Sequence, residues 1–312
     1  MPLVVSLVLL SVCVAAMSLT MSYGSCRLLA FRGVLDVPNS RSSHTSSRPT
    51  GAGIGMAASW LFVAGFIVWR QPSHPPEVIA SLAMPVAFAL LGLADDLKSL
   101  SPRVRLLVQT LIAVTAVLAG LQTPTVSLGG LGAIHLGSLA APLCVIGFVG
   151  TANLYNFMDG IDGLAAGQAL VAALMLSIGA IILNSPLVAV LAALLAATAG
   201  GFLLLNWHPA RCFMGDSGSY FLGATLAGLL VLGQRSGIPL LLVGLASFGF
   251  LADAAGTLGF RLSRGHSPLQ AHRSHLYQRL VDSGWSQARV SAVYMAFAAV
   301  TGALGLAILK RA

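Results

Sequence analysis

Two aspartates stand side by side in the segment Leu93-Ala94-Asp95-Asp96-Leu97-Lys98. Adjacent carboxylates repel, so they persist where a cation or a shared proton neutralises them. Hard oxygen donors of this kind suit Mg²⁺, which takes one or two carboxylates together with substrate phosphates. The plainer reading is a solvated helix end with Lys98 as partner. A second group, Asn153, Asn156, Asp159 and Asp162, recurs every three residues through NLYNFMDGIDGL. On a regular helix such a row drifts by roughly 60° per step, and its ends would face apart. Gly160 and Gly163 instead predict a break near 157–161 that turns both halves toward one pocket, with Asp162 in the first turn of the next helix, capping free amides. The alternative is a short polar turn.

A third group runs from Asn206 through Asp216 and Ser217 to Ser219. Asp216 and Ser217 precede an apolar run and read as an N-cap region, where free N–H groups favour an anion. An aspartate there serves better as a metal ligand than as a phosphate contact, because like charges repel; a bare capping role is the alternative. GxxxxGK[ST] is absent, so this is no P-loop. The fourth group is a late basic loop with Arg261, Arg264, His266, His272, Arg273, His275 and Arg279. His272 and His275 lie at i, i+3, but no cysteine or third local histidine stands at zinc spacing. A cationic lid over phosphates fits better, the alternative being a basic loop held by anionic lipid heads. Arg41 and His44, in DVPNSRSSHTSSRPTGAGIG, read either as further anion contacts or as a plain topology signal.

The elements that must position these groups are membrane helices. Of 312 residues, 57% are hydrophobic and 8% charged, against roughly 25% charged in soluble domains. That excludes a water-soluble enzyme and disordered, collagenous or coiled-coil chains. Cys13, Cys26, Cys144 and Cys212 form no CxxC pair, which excludes a disulfide scaffold or zinc ribbon. Ten apolar runs are long enough to span a bilayer: about 3–22, 53–69, 77–94, 104–120, 139–155, 162–183, 186–205, 218–234, 237–260 and 288–309. The first lacks a basic n-region and a cleavage signal, so it reads as a retained helix. The loops after odd-numbered runs carry 13 of the 17 basic residues. The positive-inside rule makes those loops cytoplasmic and both termini periplasmic. Glycines and alternation at 123–138 suggest a short periplasmic hairpin. The expected architecture is an all-α polytopic membrane protein, a single domain over 1–312.

Eight of the nine acids fall on the cytoplasmic side, mostly where a run meets its loop. Ionisable groups near membrane depth are costly and point to function. A transporter places them near the midplane, whereas gathering at one mouth suits chemistry at an interface. The net charge of +8 concerns orientation and anionic substrates before nucleic acid.

Together, DVPNSRSSH…RPTGAG, LADDLKSL, NLYNFMDGIDGL, NxxPARCFMGDSGS and HRSHLYQRL resemble, in order, the motifs of the polyprenyl-phosphate N-acetylhexosamine-1-phosphate transferases, the membrane family that includes phospho-N-acetylmuramoyl-pentapeptide translocase. The resemblance covers residues 36–280 and implies transfer of a sugar-1-phosphate from a UDP-N-acetylhexosamine to undecaprenyl phosphate, with release of UMP, at the inner face of a bacterial cytoplasmic membrane. It implies Mg²⁺, with Mn²⁺ as a substitute, held near Asp216, Asn156 and Asp96. It makes Asp95, Asp96, Asp159, His272 and His275 the catalytic candidates, Asp95 handling the lipid phosphate and Asp159 ordering the shell. Which aspartate acts as a base stays open, since a phosphate with a second pKa near 6 holds little proton at pH 7. Asp162 resembles the residue that meets uracil and Phe213 the ring that stacks on it. Asn153, Asn206, Arg41, His44 and Arg273 are further substrate contacts. The HRSHLYQ form departs from the commoner HxHH element and resembles the branch that initiates O-antigen with 6-deoxy sugars such as N-acetylfucosamine or N-acetylquinovosamine. A homodimer is compatible with this reading, and nucleic acid has no part in it. The competing expectation is a secondary transporter or flippase for an anionic lipid-linked substrate, for which Asp253, in the ninth run, is the one acid placed deep enough.

Overall fold

The structure, a computed structural model, describes residues 2–38, 46–265 and 274–309. Its helices are α1 (Pro2–Phe31), α2 (Gly53–Trp69), α3 (Pro76–Lys98), α4 (Pro102–Leu118), α5 (Ala140–Met158), α6 (Leu164–Ile182), α7 (Pro186–Asn206), α8 (Gly215–Arg235), α9 (Leu240–Ala246), α10 (Phe248–Ser263), α11 (Leu276–Asp282) and α12 (Gln287–Leu309). Every apolar run carries a helix, and local chemistry sets several ends. Prolines open α3, α4 and α7 at their first turn, where a missing N–H costs nothing. Ser101 caps α4 by accepting from the Val104 N–H at 3.4 Å, and Ser99, at φ 51°, ends α3 in the left-handed region.

Among the described residues, six helices are long and apolar enough to cross a membrane, or seven if the bent pair α9–α10 is one span. The ten runs are thus ten helical places, of which six or seven are long and apolar enough to span. α2 and α4 have only 17 residues each, and α8 carries Asp216 and Arg235 in its end turns. The ninth run is not one continuous span, because α9 and α10 meet at 76°. Ser247 there leaves the helical region (φ −107°, ψ 6°), with Gly244 and Gly249 nearby, a usual setting for a sharp bend. α1 continues to Phe31, well beyond the expected 22, and the short α11 has no counterpart in the sequence reading. The hairpin at 123–138 is present: β3 (Thr125–Ser127) pairs antiparallel with β4 (Ala133–His135). A second small ladder, β1 (Leu35–Asp36) with β2 (Arg48–Pro49), ties together the ends of the first long loop.

α8 forms the centre. It packs on α3 and α5 and also touches α2, α6 and α7, and most of its residues are buried. Small residues permit this crowding, as at other tight membrane-helix crossings. A Cβ at Gly53, at the start of α2, would run into the backbone of Gly218 at the start of α8. The start of α2, the start of α8 and the end of α3 consequently converge, and the polar motifs meet there.

Candidate active site

The two neighbouring aspartates have separate partners. Asp95 is buried; it accepts from the Leu100 N–H at 2.6 Å and from Arg105 Nη1 at 2.6 Å. The tight α3–α4 turn makes this possible, since it brings the first turn of α4 back over the end of α3. Asp96 accepts from the Asp216 and Ser217 N–H groups at 2.8 and 3.1 Å. It therefore sits on the N-terminus of α8, where free amides and the helix dipole favour a carboxylate. Gly215, at φ 68°, is required there: a Cβ would stand 2.6 Å from both Asp96 oxygens.

Asp216 joins the two halves. Its Oδ2 accepts from Arg105 Nη1 at 3.2 Å and its Oδ1 from Asn156 Nδ2 at 2.6 Å. Asn156 Nδ2 also lies 3.1 Å from Ser219 Oγ. Asn153, one turn earlier, donates to Gln109 Oε1 on α4 at 2.6 Å. Asp159 caps the end of α5 and faces the same group. Burial first, then the charges of Asp216, Asp96, Asp162 and Asp36, hold its carboxyl well above the usual carboxylate range. Asp95, Asp96, Asp159, Asp216 and Asn156 are thus brought together, with Arg105 as the cation in contact.

The break in the second motif is present, but its far side turns away. α5 stops at Met158, Gly163 adopts φ 77° and α6 begins at Leu164. Asp162 does not cap α6. Its Oδ2 lies 2.7 Å from His208 Nδ1 and accepts from the Ala210 N–H at 3.0 Å. Asn206 accepts from the Gly163 N–H at 3.0 Å and donates to the Cys212 carbonyl at 3.1 Å. Both are buried and splice the α5–α6 bend to the 207–213 turn. The Phe213 backbone joins that turn to the first loop, donating to the Pro49 carbonyl at 2.9 Å and accepting from the Ala52 N–H at 3.2 Å. His275 is buried, its Nδ1 lying 3.3 Å from Asp253 Oδ1. Arg41, His44, His272 and Arg273 lie outside the described residues.

Among the described residues, no three His, Cys, Asp or Glu side chains close on a common point. The site therefore offers no all-protein cage. Its donors are carboxylate and amide oxygens in a region of excess negative charge, which fits a hard divalent cation whose remaining ligands are water and substrate oxygens.

The profile of Glycosyl transferase family 4 matches residues 78–234, a stretch holding Asp95, Asp96, Arg105, Asn156, Asp159 and Asp216. The chain belongs to this family. It is 34% identical over 273 residues to a phospho-N-acetylmuramoyl-pentapeptide-transferase of Synechococcus sp. (strain JA-2-3B'a(2-13)), covering 83% of this chain and 78% of that one. It is 30% identical over 262 residues to a probable undecaprenyl-phosphate N-acetylglucosaminyl 1-phosphate transferase of Bacillus subtilis (strain 168), covering 81% and 71%. It is 32% identical over 302 residues to a decaprenyl-phosphate N-acetylglucosaminephosphotransferase of Mycobacterium tuberculosis (strain CDC 1551 / Oshkosh), covering 86% and 74%.

As a family 4 glycosyl transferase, the chain shows site residues that the sequence reading passed over. Arg105 counted there only as a topology signal, although its place ten residues after Asp95, beyond a Ser-Leu-Ser-Pro turn, was a usable cue. Gln109, one turn further along α4, is fully buried against Asn153; a glutamine in an apolar run was the signal. An apolar groove of about 350 Å³ runs between α5, α8 and α9, and none of Asp95, Asp96, Arg105, Asn156 and Asp216 lines it. It extends from Thr123 and Gln234 at the hairpin end to Leu154 and Tyr155, the α5 neighbours of Asn153 and Asn156.

Proposed function

We propose that this transferase moves a sugar-1-phosphate from a UDP-N-acetylhexosamine to undecaprenyl phosphate at the cytoplasmic face of the bacterial inner membrane, releasing UMP. A 6-deoxy sugar of the N-acetylfucosamine or N-acetylquinovosamine type is the sugar we favour, on the HRSHLYQ segment. The observation that carries the reading is the convergence of Asp95, Asp96, Asn156 and Asp216 around Arg105.

The reaction joins two anions. An oxygen of the lipid phosphate attacks the β-phosphorus of the nucleotide diphosphate; the bond from that phosphorus to the bridging oxygen breaks, and UMP departs with the electron pair. Such transfers depend on positioning and charge neutralisation. Mg²⁺, or Mn²⁺, would supply the charge that four aspartates cannot, and Asp216, Asn156 and Asp96 are the residues to hold it. Arg105 keeps Asp95 and Asp216 oriented and offers a planar cation to phosphate oxygens. Asp96 also accepts from the α8 amides of Asp216 and Ser217, which fixes Asp216 beside it. The groove along α5 suits a polyprenyl chain, because its walls are apolar and it reaches Leu154 and Tyr155 near the end of α5. The positive-inside bias supports the cytoplasmic placement.

A transport path is not favoured. Asp253, the acid that reading needed, has both oxygens occupied by donors from α10, α11 and α12 and from His275.

The test is UMP release by detergent-purified protein given undecaprenyl phosphate, Mg²⁺ and a panel of UDP-N-acetylhexosamines. Lipid- and Mg²⁺-dependent UMP from one or two sugars is expected, with EDTA abolishing it. Folded protein that releases no UMP from any of them sinks the proposal.

A further inference from the structure

α10 hangs after the bend in the ninth run with much of one face open. Beside it, a trough of about 910 Å³ separates α10 from α11 and α12, lined by Phe248, Phe260, Leu276, Arg279 and Phe297 among others. Apolar packing across this gap is thin, so the polar contacts must do more of the fastening. They centre on one side chain. Asp253, buried on α10, accepts at Oδ1 from the Leu276 N–H at 2.7 Å and from Thr257 Oγ1 at 3.3 Å, and His275 Nδ1 lies 3.3 Å from the same oxygen. Its Oδ2 accepts from the Tyr294 hydroxyl at 2.7 Å and from the Tyr277 N–H at 3.1 Å. Hydrogen bonds to a charged acceptor are about twice as strong as neutral ones, and a buried carboxylate without partners is expensive. Each oxygen is therefore held tightly.

What this fixes is Tyr277. Its ring is buried, and its hydroxyl donates to the Phe157 carbonyl at 3.2 Å. That carbonyl belongs to the last turn of α5, where carbonyls lack helical partners. The fit is close, because a Cβ at Gly160 would collide with the Tyr277 hydroxyl. Tyr277 thus presses on residues 157–160, between Asn156, which holds Asp216, and Asp159.

We propose that Asp253 is a positioning residue: it fastens the start of α11 so that Tyr277 braces the end of α5, and through that brace it sets where Asn156 and Asp159 stand. The kinetic part rests on the transferase reading above; the structural part does not.

The test uses full-length protein in detergent and the variants Asp253→Asn, Tyr277→Phe and the double variant. Hydrogen–deuterium exchange over residues 157–163 is read first and needs no activity. Faster exchange there in each single variant is expected, and unchanged exchange overturns the proposal. In the UMP assay, Asp253→Asn should lower kcat about 10- to 100-fold, as misplacement of a reacting group by a fraction of an ångström to 1 Å does, with the KM for the UDP-sugar little changed. Tyr277→Phe should lower kcat by a smaller factor, and the double variant should match Asp253→Asn. Losses that multiply would show two independent effects and overturn it. If Asp253→Asn does not fold, Tyr277→Phe and Tyr294→Phe carry the exchange test with the same two outcomes. Wild-type protein that releases no UMP would count against the transferase reading alone and leave the exchange result to decide this one.

Discussion

On one side of the bend between α5 and α6, Asp95 and Asp216 share the Arg105 guanidinium, and Asp96 and Asp159 stand against them without a contacting cation among the described residues. On the other side, Asp162 is closed in by the His208 ring and the Ala210 amide, with Asn206 beside it pinned to Gly163 and Cys212. Both regions use buried or half-buried acids from one motif, three residues apart. The first leaves negative charge in excess; the second gives one oxygen of its acid, Oδ2, two of the protein's own partners. Excess charge costs stability and is kept where a substrate or cation will answer it, whereas a satisfied acid holds the chain together.

The comparison breaks most sharply at Asp216. Asp216→Ala should cut UMP release at least about 100-fold, a loss typical of removing one pre-set electrostatic contact, while the protein stays monodisperse with little change in Tm. A variant retaining more than a tenth of the activity would place the chemistry elsewhere. Arg105 comes next. Arg105→Met should lower kcat by about 10- to 100-fold, and Arg105→Lys should restore only part, because Nη1 alone meets both carboxylates and an ammonium lacks the further planar donors that a guanidinium offers to phosphate oxygens. Full recovery with lysine would mean that charge alone matters.

Asp162 tests the other region. Asp162→Ala removes the acceptor of the buried Ala210 N–H and should cost about 1–3 kcal/mol, read as a fall in Tm, with kcat changed by less than about threefold. An unchanged Tm together with a large rise in the KM for the UDP-sugar would instead support the expectation that this residue meets uracil. The smallest effect is on pH. Because the Asp159 carboxyl lies well above its usual range in the folded protein, the folded state binds a proton that the unfolded chain releases. Stability should therefore fall as pH rises from the ordinary carboxylate range through that raised value. Asp159→Asn should flatten the decline, raising Tm near neutral pH by about 2–4 °C, as added Mg²⁺ should do for the wild type. An identical pH profile in the variant would show that Asp159 is already neutralised.

Much of the fold was legible because its signals are local. Apolar runs, the proline starts of α3, α4 and α7 and the glycine turns of the 123–138 hairpin each act within a few residues. The bend at Ser247 was not legible, because the residues on either side of it, 238–246 and 248–252, are apolar or glycine and a serine between glycines does not by itself end a helix. At the site, Asp95, Asp96, Asn156 and Asp216 stood out by residue type and spacing. Arg105 did not, because on a helix end an arginine that turns inward has the same sequence as one that faces anionic lipid.

From the sequence alone follow a membrane protein with helices in ten places, its acids gathered at one face and its kinship with the sugar-phosphate transferases. These depend on composition, on short-range periodicity and on motifs that keep their order along the chain. The tertiary structure alone decided which donors each aspartate meets. Asp162 points at an amide 48 residues further on, Asp216 is tied to a guanidinium 111 residues before it and Asp96 to the amide of Asp216, 120 residues away. A carboxylate turns toward whichever donors packing brings within 3 Å, and packing between helices is not written in any one segment.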